Sequence, residues 1–592
     1  MINYVNYNGS PLTSPQDIAD ALASTLQKHS SNKTYTSQFI TRKLVEESTP
    51  LSYDELTEDP MNYPITMKEL SVILEETKNS TPGPDDIPII FLKMLSQNAK
   101  KLLLKMYNVI WNTHVFPHIW SESIIVPILK TGQPKSLTDS YIPISLTCAM
   151  CKLIEKIINR RLIWTLENRK LIIPQQSGFR KKGSTLDNLV DLESDVHEAF
   201  ANSQECIAIF FDISKAYDTR SLIRSKLDYG SIVYNSAKNG TLKKLGTIQN
   251  CALRIALGAF HTSPVESLYC ESGEPPLSIR RKHLSLTYAA AVQSNPDNPV
   301  FHNVIAQGFR NTFAKRKRVA IPFYERLNRF LSNLLLNRPE IFNTSNIPNP
   351  PPWTFPSIKI EKGLTIQIYT DASKLEEGVG AAFTSTASNH SFKLPAESTV
   401  FSGEFYAIWK ALEYAEKSDH SKFLVITDSL STLEAITKLN PEHPIILHIK
   451  HKLHSIIEKR KHIHFMWVPS HVGIAGNERA DQLAKDAITN PLTDIEKRIA
   501  HPDLKPFYKQ ILTNVWQQQW NGSNSKLSTI KPLVLPWKSL PKTRKLQVIL
   551  SRLRLGHTRF THEYILNGNN PPTCEVCDCA ISVKHILSEC AS

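Results

Sequence analysis

The sequence predicts a multidomain α/β and α+β protein whose best-defined part is a mixed five-stranded sheet flanked by helices. Three observations predict it. At 592 residues the chain exceeds what one core organises, so three or four domains are expected. Between 363 and 490, three β-rich runs precede helix, strand, two helices, strand and helix, an order that builds a mixed sheet with helices on its faces. A proline-rich stretch from Asn346 to Pro356 sets this segment off, and with 341–362 reads as a stiff linker.

Within the segment, Leu364 to Thr370 alternates and is β-rich, which predicts a strand delivering Asp371 at its C-terminal end. Val379 to Ser385 and Ser391 to Leu394 read as the second and third strands. Ser402 to Glu416 reads as a helix with a core stripe of Phe405, Ile408, Trp409, Leu412 and Ala415, and Glu404 sits in its first turn beside that stripe. Phe423 to Thr427 is an apolar strand ending in Asp428, and Ser429 caps a helix reaching Leu439. Pro444 to Glu458 is helical, and His464 to Val468 is a strand leading into a loop with His471. A last helix from about Gly476 carries Asp481. Two acids at strand ends and two in helices can converge. Taken singly, each has an ordinary explanation as a cap, a dipole partner or a solvated residue. Four together repel strongly unless compensated, and two Mg²⁺ ions both neutralise them and clamp the oxygens of a phosphodiester.

Over roughly 125 residues this segment is similar to type 1 ribonuclease H. Asp371 in Tyr-Thr-Asp-Ala-Ser, Glu404 in Ser-Gly-Glu-Phe-Tyr-Ala, Asp428 in Ile-Thr-Asp-Ser and Asp481 in Gly-Asn-Glu-Arg-Ala-Asp match the four metal ligands, and His471 matches the mobile histidine. The resemblance implies cleavage of the RNA strand of an RNA–DNA hybrid with two Mg²⁺ ions, Mn²⁺ being an expected substitute. Contacts to ribose 2′-hydroxyls tell RNA from DNA, and the main chain near Ser373 and Glu404 together with Asn477 are the candidates for them. His462 and His464 alternate along a strand and are read as surface or core imidazoles, not ligands.

Upstream, residues 1–65 are polar with helical patches and carry no evident chemistry. Residues 66–219 hold helices over Thr66–Lys78, Asp86–Leu95 and Ala99–Thr113, a short strand at Ser123–Pro127 and an amphipathic helix through Ile154 and Ile157. In this span Thr81-Pro82-Gly83-Pro84-Asp85, Tyr141-Ile142-Pro143-Ile144-Ser145, Gln176 to Arg180 and Phe210 to Asp218 follow in order. That order resembles the front of a reverse transcriptase from a non-LTR, jockey-type retrotransposon. By that resemblance Asp212 is the first metal-binding aspartate of a polymerase palm. The glycine-containing grip motif and the adjacent aspartate pair that follow in the family are missing after Thr219. Asp212 alone cannot hold two metals, so the palm is expected to be incomplete and polymerase activity absent. The join near Arg220 is either an internal deletion or a stretch skipped when the gene was delineated. A nucleic-acid-binding remnant without turnover, or a reverse transcriptase with its catalytic segment left out, are the competing readings.

Residues 220–340 read as a basic helical region, with Lys and Arg outnumbering Asp and Glu by 18 to 7. Its densest point, Lys315 to Arg318, suits a solvated loop, phosphate contact or nuclear import. Residues 491–592 form a helical tail, with Trp516 and Trp520 at i,i+4 as a core stripe and a basic helix over Leu546–Gly556. Its end has Cys574, Cys577, His585 and Cys590 at a spacing suited to tetrahedral Zn²⁺, with Cys579 as a substitute ligand. The same motif resembles the terminal zinc-knuckle-like end of such retroelements. Cys148 and Cys151 read as helix-packing thiols. A net charge of +14 and a pI near 9.1 favour a nucleic-acid partner. Nine cysteines in so long a chain make no disulfide scaffold, and with no signal peptide or apolar span, an intracellular protein in the nucleus or cytoplasm, off the membrane, is expected.

Overall fold

The computed structural model describes residues 4–7, 9–29, 37–48, 59–129, 133–178, 183–201, 230–302, 321–344, 366–438, 443–537 and 543–590, with single residues 180, 206, 228, 347, 441, 539 and 541. Asp212, Lys315 to Arg318 and most of the proline-rich linker lie outside them. The chain forms two compact units, one within residues 1–173 and a second containing 174–208, 221–350 and 356–592.

In the first unit, the helices Met67–Glu76, Gln97–Thr113 and Ala149–Asn168 enclose a core of Leu70, Ile73, Tyr107, Leu153, Ile154 and Ile157. Cys148 and Cys151 are buried in it, as packing thiols. Thr66 starts the first helix with a capping box, its hydroxyl taking the Glu69 N–H while Glu69 takes the Thr66 N–H. The same Glu69 is buried against Arg161, whose Nε and Nη2 donate to the two carboxylate oxygens at 2.8 Å each. The helix expected over Asp86–Leu95 is confined to Ile89–Lys93, because Pro88 stands at its start and Asp85 is turned to the Ala149 N–H instead. The strand Ile124–Leu129 is longer than expected, since it pairs antiparallel with Tyr141–Leu146.

The second unit contains the sheet. Its strands are β1 (Ile366–Leu375), β2 (Gly378–Ser385), β3 (Asn389–Leu394), β4 (Lys422–Thr427), β5 (His462–Trp467) and β6 (Asp494–Ile495). They lie in the order β6-β3-β2-β1-β4-β5. The sheet therefore has six strands, not five: two residues beyond the expected last helix add a parallel edge to β3. β1, β2 and β3 form an antiparallel meander, while β1, β4 and β5 run parallel. Helices α1 (Val400–Lys417), α2 (Leu430–Thr437), α3 (Pro444–Glu458) and α4 (Ala475–Thr489) make the crossovers and cover the faces. α4 lies so close to β2 that a Cβ at Gly380 would come 1.8 Å from the Ala484 carbonyl oxygen, which leaves room only for glycine.

The helical stretches on either side of this sheet share one core. Leu268, Ile279, Leu286, Phe323 and Leu327 from upstream pack with Leu504, Tyr508, Leu512, Trp516 and Leu555 from downstream. The downstream contribution comes mainly from α5 (His501–Asn521), with α6 (Arg544–Leu555) beyond it. Trp516 and Trp520 are buried in this core, and the Trp520 indole N–H donates to the Lys531 carbonyl at 2.8 Å. Residues flanking the sheet are tied to each other: Phe342 N–H donates to the Ile499 carbonyl at 3.1 Å and Ile499 N–H to the Glu340 carbonyl at 2.8 Å. The basic region and the tail, expected as separate segments, thus meet in a single helical body. Much of its arginine serves packing. Arg280 pairs with Asp228, Arg326 with Glu193, and Arg552 and Arg554 lie over the rings of Phe260 and Trp537. Among the described residues no helix is long and apolar enough to cross a membrane.

Candidate active site

Register explains how the first two acids meet. The last parallel pair between β1 and β4 is Thr370 with Thr427, so the next residues, Asp371 and Asp428, emerge side by side. There β4 stops. β1 does not stop, contrary to expectation: it continues to Leu375 because β2 pairs with it through Ser373 and Leu375. Asp371 is therefore anchored within a strand, with one carboxylate oxygen accepting the Ala372 N–H at 2.7 Å.

The third acid comes from α1. Thr399 caps that helix by accepting the Ser402 N–H, and Gly403 rests on the sheet. A Cβ at 403 would come 2.8 Å from Ala372 Cβ and 2.7 Å from Val379, so only glycine lets this turn settle and bring Glu404 down beside Asp371. Asp371, Glu404 and Asp428 each offer an oxygen within 4.8 Å of the others. Asp371 and Glu404 are buried and Asp428 half-buried. Burial pushes the Asp371 carboxyl well above its ordinary value, and the Asp428 charge adds to the shift. Burial raises Glu404 as well, followed by the charge of Asp371.

Asp481 on α4 groups with His471 and Glu478, again within 4.8 Å, and its charge also reaches Asp371. His471 is exposed, at a left-handed φ of 55°, in a loop whose Gly473 N–H donates to Glu478 at 3.4 Å. Asn477, expected to face substrate, is buried, and its amide donates to Asp428 Oδ2 at 3.1 Å. Ser373 is half-buried on β1. His462 is exposed and His464 half-buried, and neither belongs to a cluster of ligating groups among the described residues. Two neighbours escaped the sequence reading. Glu478 lies three residues before Asp481, and Lys485, four after it, donates to Asp481 Oδ2 at 2.6 Å. Their i−3 and i+4 spacing from Asp481 was the available signal.

The donor set fits a hard divalent cation. Carboxylate oxygens on one Mg²⁺ at about 2.1 Å lie about 3–4 Å apart, inside the 4.8 Å within which the oxygens of Asp371, Glu404 and Asp428 fall. Glu404 Oε2 is buried without a hydrogen-bond partner, an arrangement that costs free energy until a cation or proton meets it.

A second ligating cluster lies in the tail. Cys574, Cys577, His585 and Cys590 bring their ligand atoms within 4.8 Å of one another. The Cys574 N–H bonds the Cys579 carbonyl at 2.8 Å, with Asp578 at φ 46°, which closes the tight turn presenting Cys574 and Cys577 together. The Cys574 and Cys590 sulfurs are 3.9 Å apart; tetrahedral zinc–sulfur bonds of about 2.3 Å require about 3.8 Å. The backbone N–H groups of Cys577 and Val576 hold the Cys574 thiol below its ordinary value, toward the thiolate that binds metal. Cys579 Sγ lies 3.4 Å from His585 Nδ1, outside the fourfold group. The purified chain is expected to carry one zinc by mass analysis, lost in Cys577→Ser; a zinc-free wild type would remove the site.

Comparison with known proteins bears on both units. The RNase H family matches residues 364–489, and the Reverse transcriptase (RNA-dependent DNA polymerase) family matches residues 128–223. The chain is 33% identical over 162 residues to the probable RNA-directed DNA polymerase from transposon BS of Drosophila melanogaster, 27% of this chain and 18% of that protein. It is 30% identical over 173 residues to the RNA-directed DNA polymerase from mobile element jockey of the same species, 28% of this chain and 19% of the relative. The Pol polyprotein of equine infectious anemia virus is 35% identical over 129 residues, 20% of this chain and 10% of the viral protein. The chain thus spans less than a fifth of the length of these relatives.

Proposed function

We propose that this chain, which carries RNase H and reverse-transcriptase segments like those of non-LTR retrotransposon polyproteins, cleaves the RNA strand of RNA–DNA hybrids at the site begun by Asp371. The convergence of Asp371, Glu404 and Asp428 at the end of β4, with Asp481 adjoining, carries this reading. Those four acids would hold two Mg²⁺ ions, or Mn²⁺ in their place. Bound there, the metal supplies Lewis acidity toward the phosphodiester and lowers the pKa of the attacking water.

The residues around the acids have defined tasks in this proposal. Asn477 holds Asp428 in orientation by its amide hydrogen bond. Lys485 restrains Asp481 and balances part of the site's negative charge. His471, exposed beside Asp481 and Glu478, is assigned the carriage of a proton between the site and solvent. The main chain at Ser373 is the proposed contact to a ribose 2′-hydroxyl. Polymerase activity is proposed to be absent, because the sequence after Thr219 lacks the adjacent aspartate pair that would complete the site begun by Asp212.

The test is incubation of the full chain with an end-labelled hybrid and Mg²⁺, beside duplex DNA and duplex RNA. Cleavage confined to the RNA of the hybrid, with 3′-hydroxyl and 5′-phosphate ends, is expected. Binding without cleavage would replace the enzyme by a nucleic-acid-binding remnant, and primer extension in a parallel reaction supplied with deoxynucleoside triphosphates would restore the polymerase.

A further inference from the structure

We propose that Asp503, which lies beyond the segment matched by the RNase H family, is a positioning residue that fixes the first turn of α1 and, through it, Glu404. The proposal rests on reading Glu404 as a metal ligand.

The path is short. Thr399, the N-cap of α1, accepts the Ser402 N–H at 3.2 Å and donates its own hydroxyl to Asp503 Oδ1 at 2.8 Å. Ser402 Oγ lies 2.9 Å from Nε2 of His443, the residue that heads α3. The turn bearing Glu404 is therefore gripped from two sides, by the start of α3 and by the start of α5. From beneath, Gly403 presses on Ala372 and Val379 with no space for a Cβ. A displacement of the cap has no slack to absorb it and is passed to Glu404, which stands against Asp371.

The burial of Asp503 needs a reason, because a carboxylate only 3% exposed is costly to keep. Two helix N-termini offset part of that cost: Asp503 lies in the first turn of α5 and is bonded to the cap of α1, so the partial positive charges of both helices face it, while burial still holds its carboxyl above the ordinary value and leaves Oδ2 without a partner. Lys374 adds a distant positive charge while its ammonium donates to the carbonyls of Ala396 and Ser398, in the loop leading to Thr399. A residue serving α5 alone would need no bond to Thr399. The second bond makes the tail part of the catalytic scaffold.

The experiment titrates the full chain with Mn²⁺ by calorimetry and measures hybrid cleavage in parallel. Asp503→Ala is expected to weaken Mn²⁺ binding by about 10-fold, the usual effect of losing a residue that orients a ligand, and to lower kcat with little change in KM for the hybrid. Asp503→Asn keeps an acceptor for Thr399 and is expected to restore most of the Mn²⁺ affinity. Leu512→Ala, in the core of the same helix, lowers the melting temperature without touching Thr399 and is expected to leave Mn²⁺ binding intact. Wild-type affinity in Asp503→Ala, or equal weakening in Leu512→Ala, overturns the proposal. A wild type that binds Mn²⁺ without cleaving hybrids overturns the ribonuclease reading instead, and the calorimetry still decides the role of Asp503.

Discussion

Asp428→Asn is expected to lower hybrid cleavage by on the order of 10²–10³-fold or more, the scale on which one pre-organised electrostatic contact acts in an active site. The fold should not suffer. Asn keeps an oxygen to accept the Asn477 amide, so the hydrogen bond at 3.1 Å has a replacement. It also removes the charge that contributes, after burial, to the raised Asp371 carboxyl. With that repulsion relieved, the metal-free melting temperature should hold or rise. Lost activity with unchanged or greater metal-free stability marks a residue kept for chemistry. Initial rates on a labelled hybrid and a thermal scan without metal check both halves, and cleavage at the wild-type rate would take Asp428 out of the site.

Arg161→Ala is expected to cost the first unit about 3–5 kcal/mol, the range for breaking a buried ion pair from one side. Arg161 is 1% exposed and its guanidinium is fully engaged. It holds both oxygens of Glu69, and it donates to the carbonyls of Met61, Tyr63 and Pro64. Its removal leaves the Glu69 carboxylate buried, still bonded to the helix cap but without its counter-charge. Arg161→Lys cannot reproduce the two-pronged pairing and should recover only part of the loss. Urea unfolding followed by Trp111 and Trp120 fluorescence in single-tryptophan backgrounds reports on this unit. A midpoint unchanged in Arg161→Ala would show the pair to be stabilising nothing.

The meander and crossovers between 366 and 489 were legible because each element has a local signature: alternation in β2, an apolar run in β4, a stripe on α1. What escaped was non-local. Asp371 to Leu375 reads as a polar strand end, and only β2 across the hairpin extends it. β6 has two residues, too few for any period to appear. Asn477 reads as a substrate-facing residue at a loop-to-helix junction, and its burial depends on where Asp428 arrives from another strand. The arginines of the basic region show the same limit. Their charge is readable, but whether an aromatic ring or a buried carboxylate awaits each one is set by residues up to hundreds of positions away, as with Arg552 over Phe260. The acids around Asp371 were readable as candidates; the support behind them, Asp503 included, was not.

The single helical core on both sides of the sheet has a consequence for how the chain is made. Leu268 to Leu331 leave the ribosome well before their partners Leu504 to Leu555, with the whole nuclease fold in between. At roughly 5–20 residues per second, the gap of about 210 residues from Thr344 to Leu555 takes roughly 10–40 s to synthesise. Until those partners emerge, the upstream helices lack the side chains that cover their apolar face in the finished fold. The nuclease segment is complete before the late half, and its fold brings Phe342 and Ile499 together, which shortens the search for that half. The sheet that holds the acids is thus also the clasp that joins the two ends of a divided helical body.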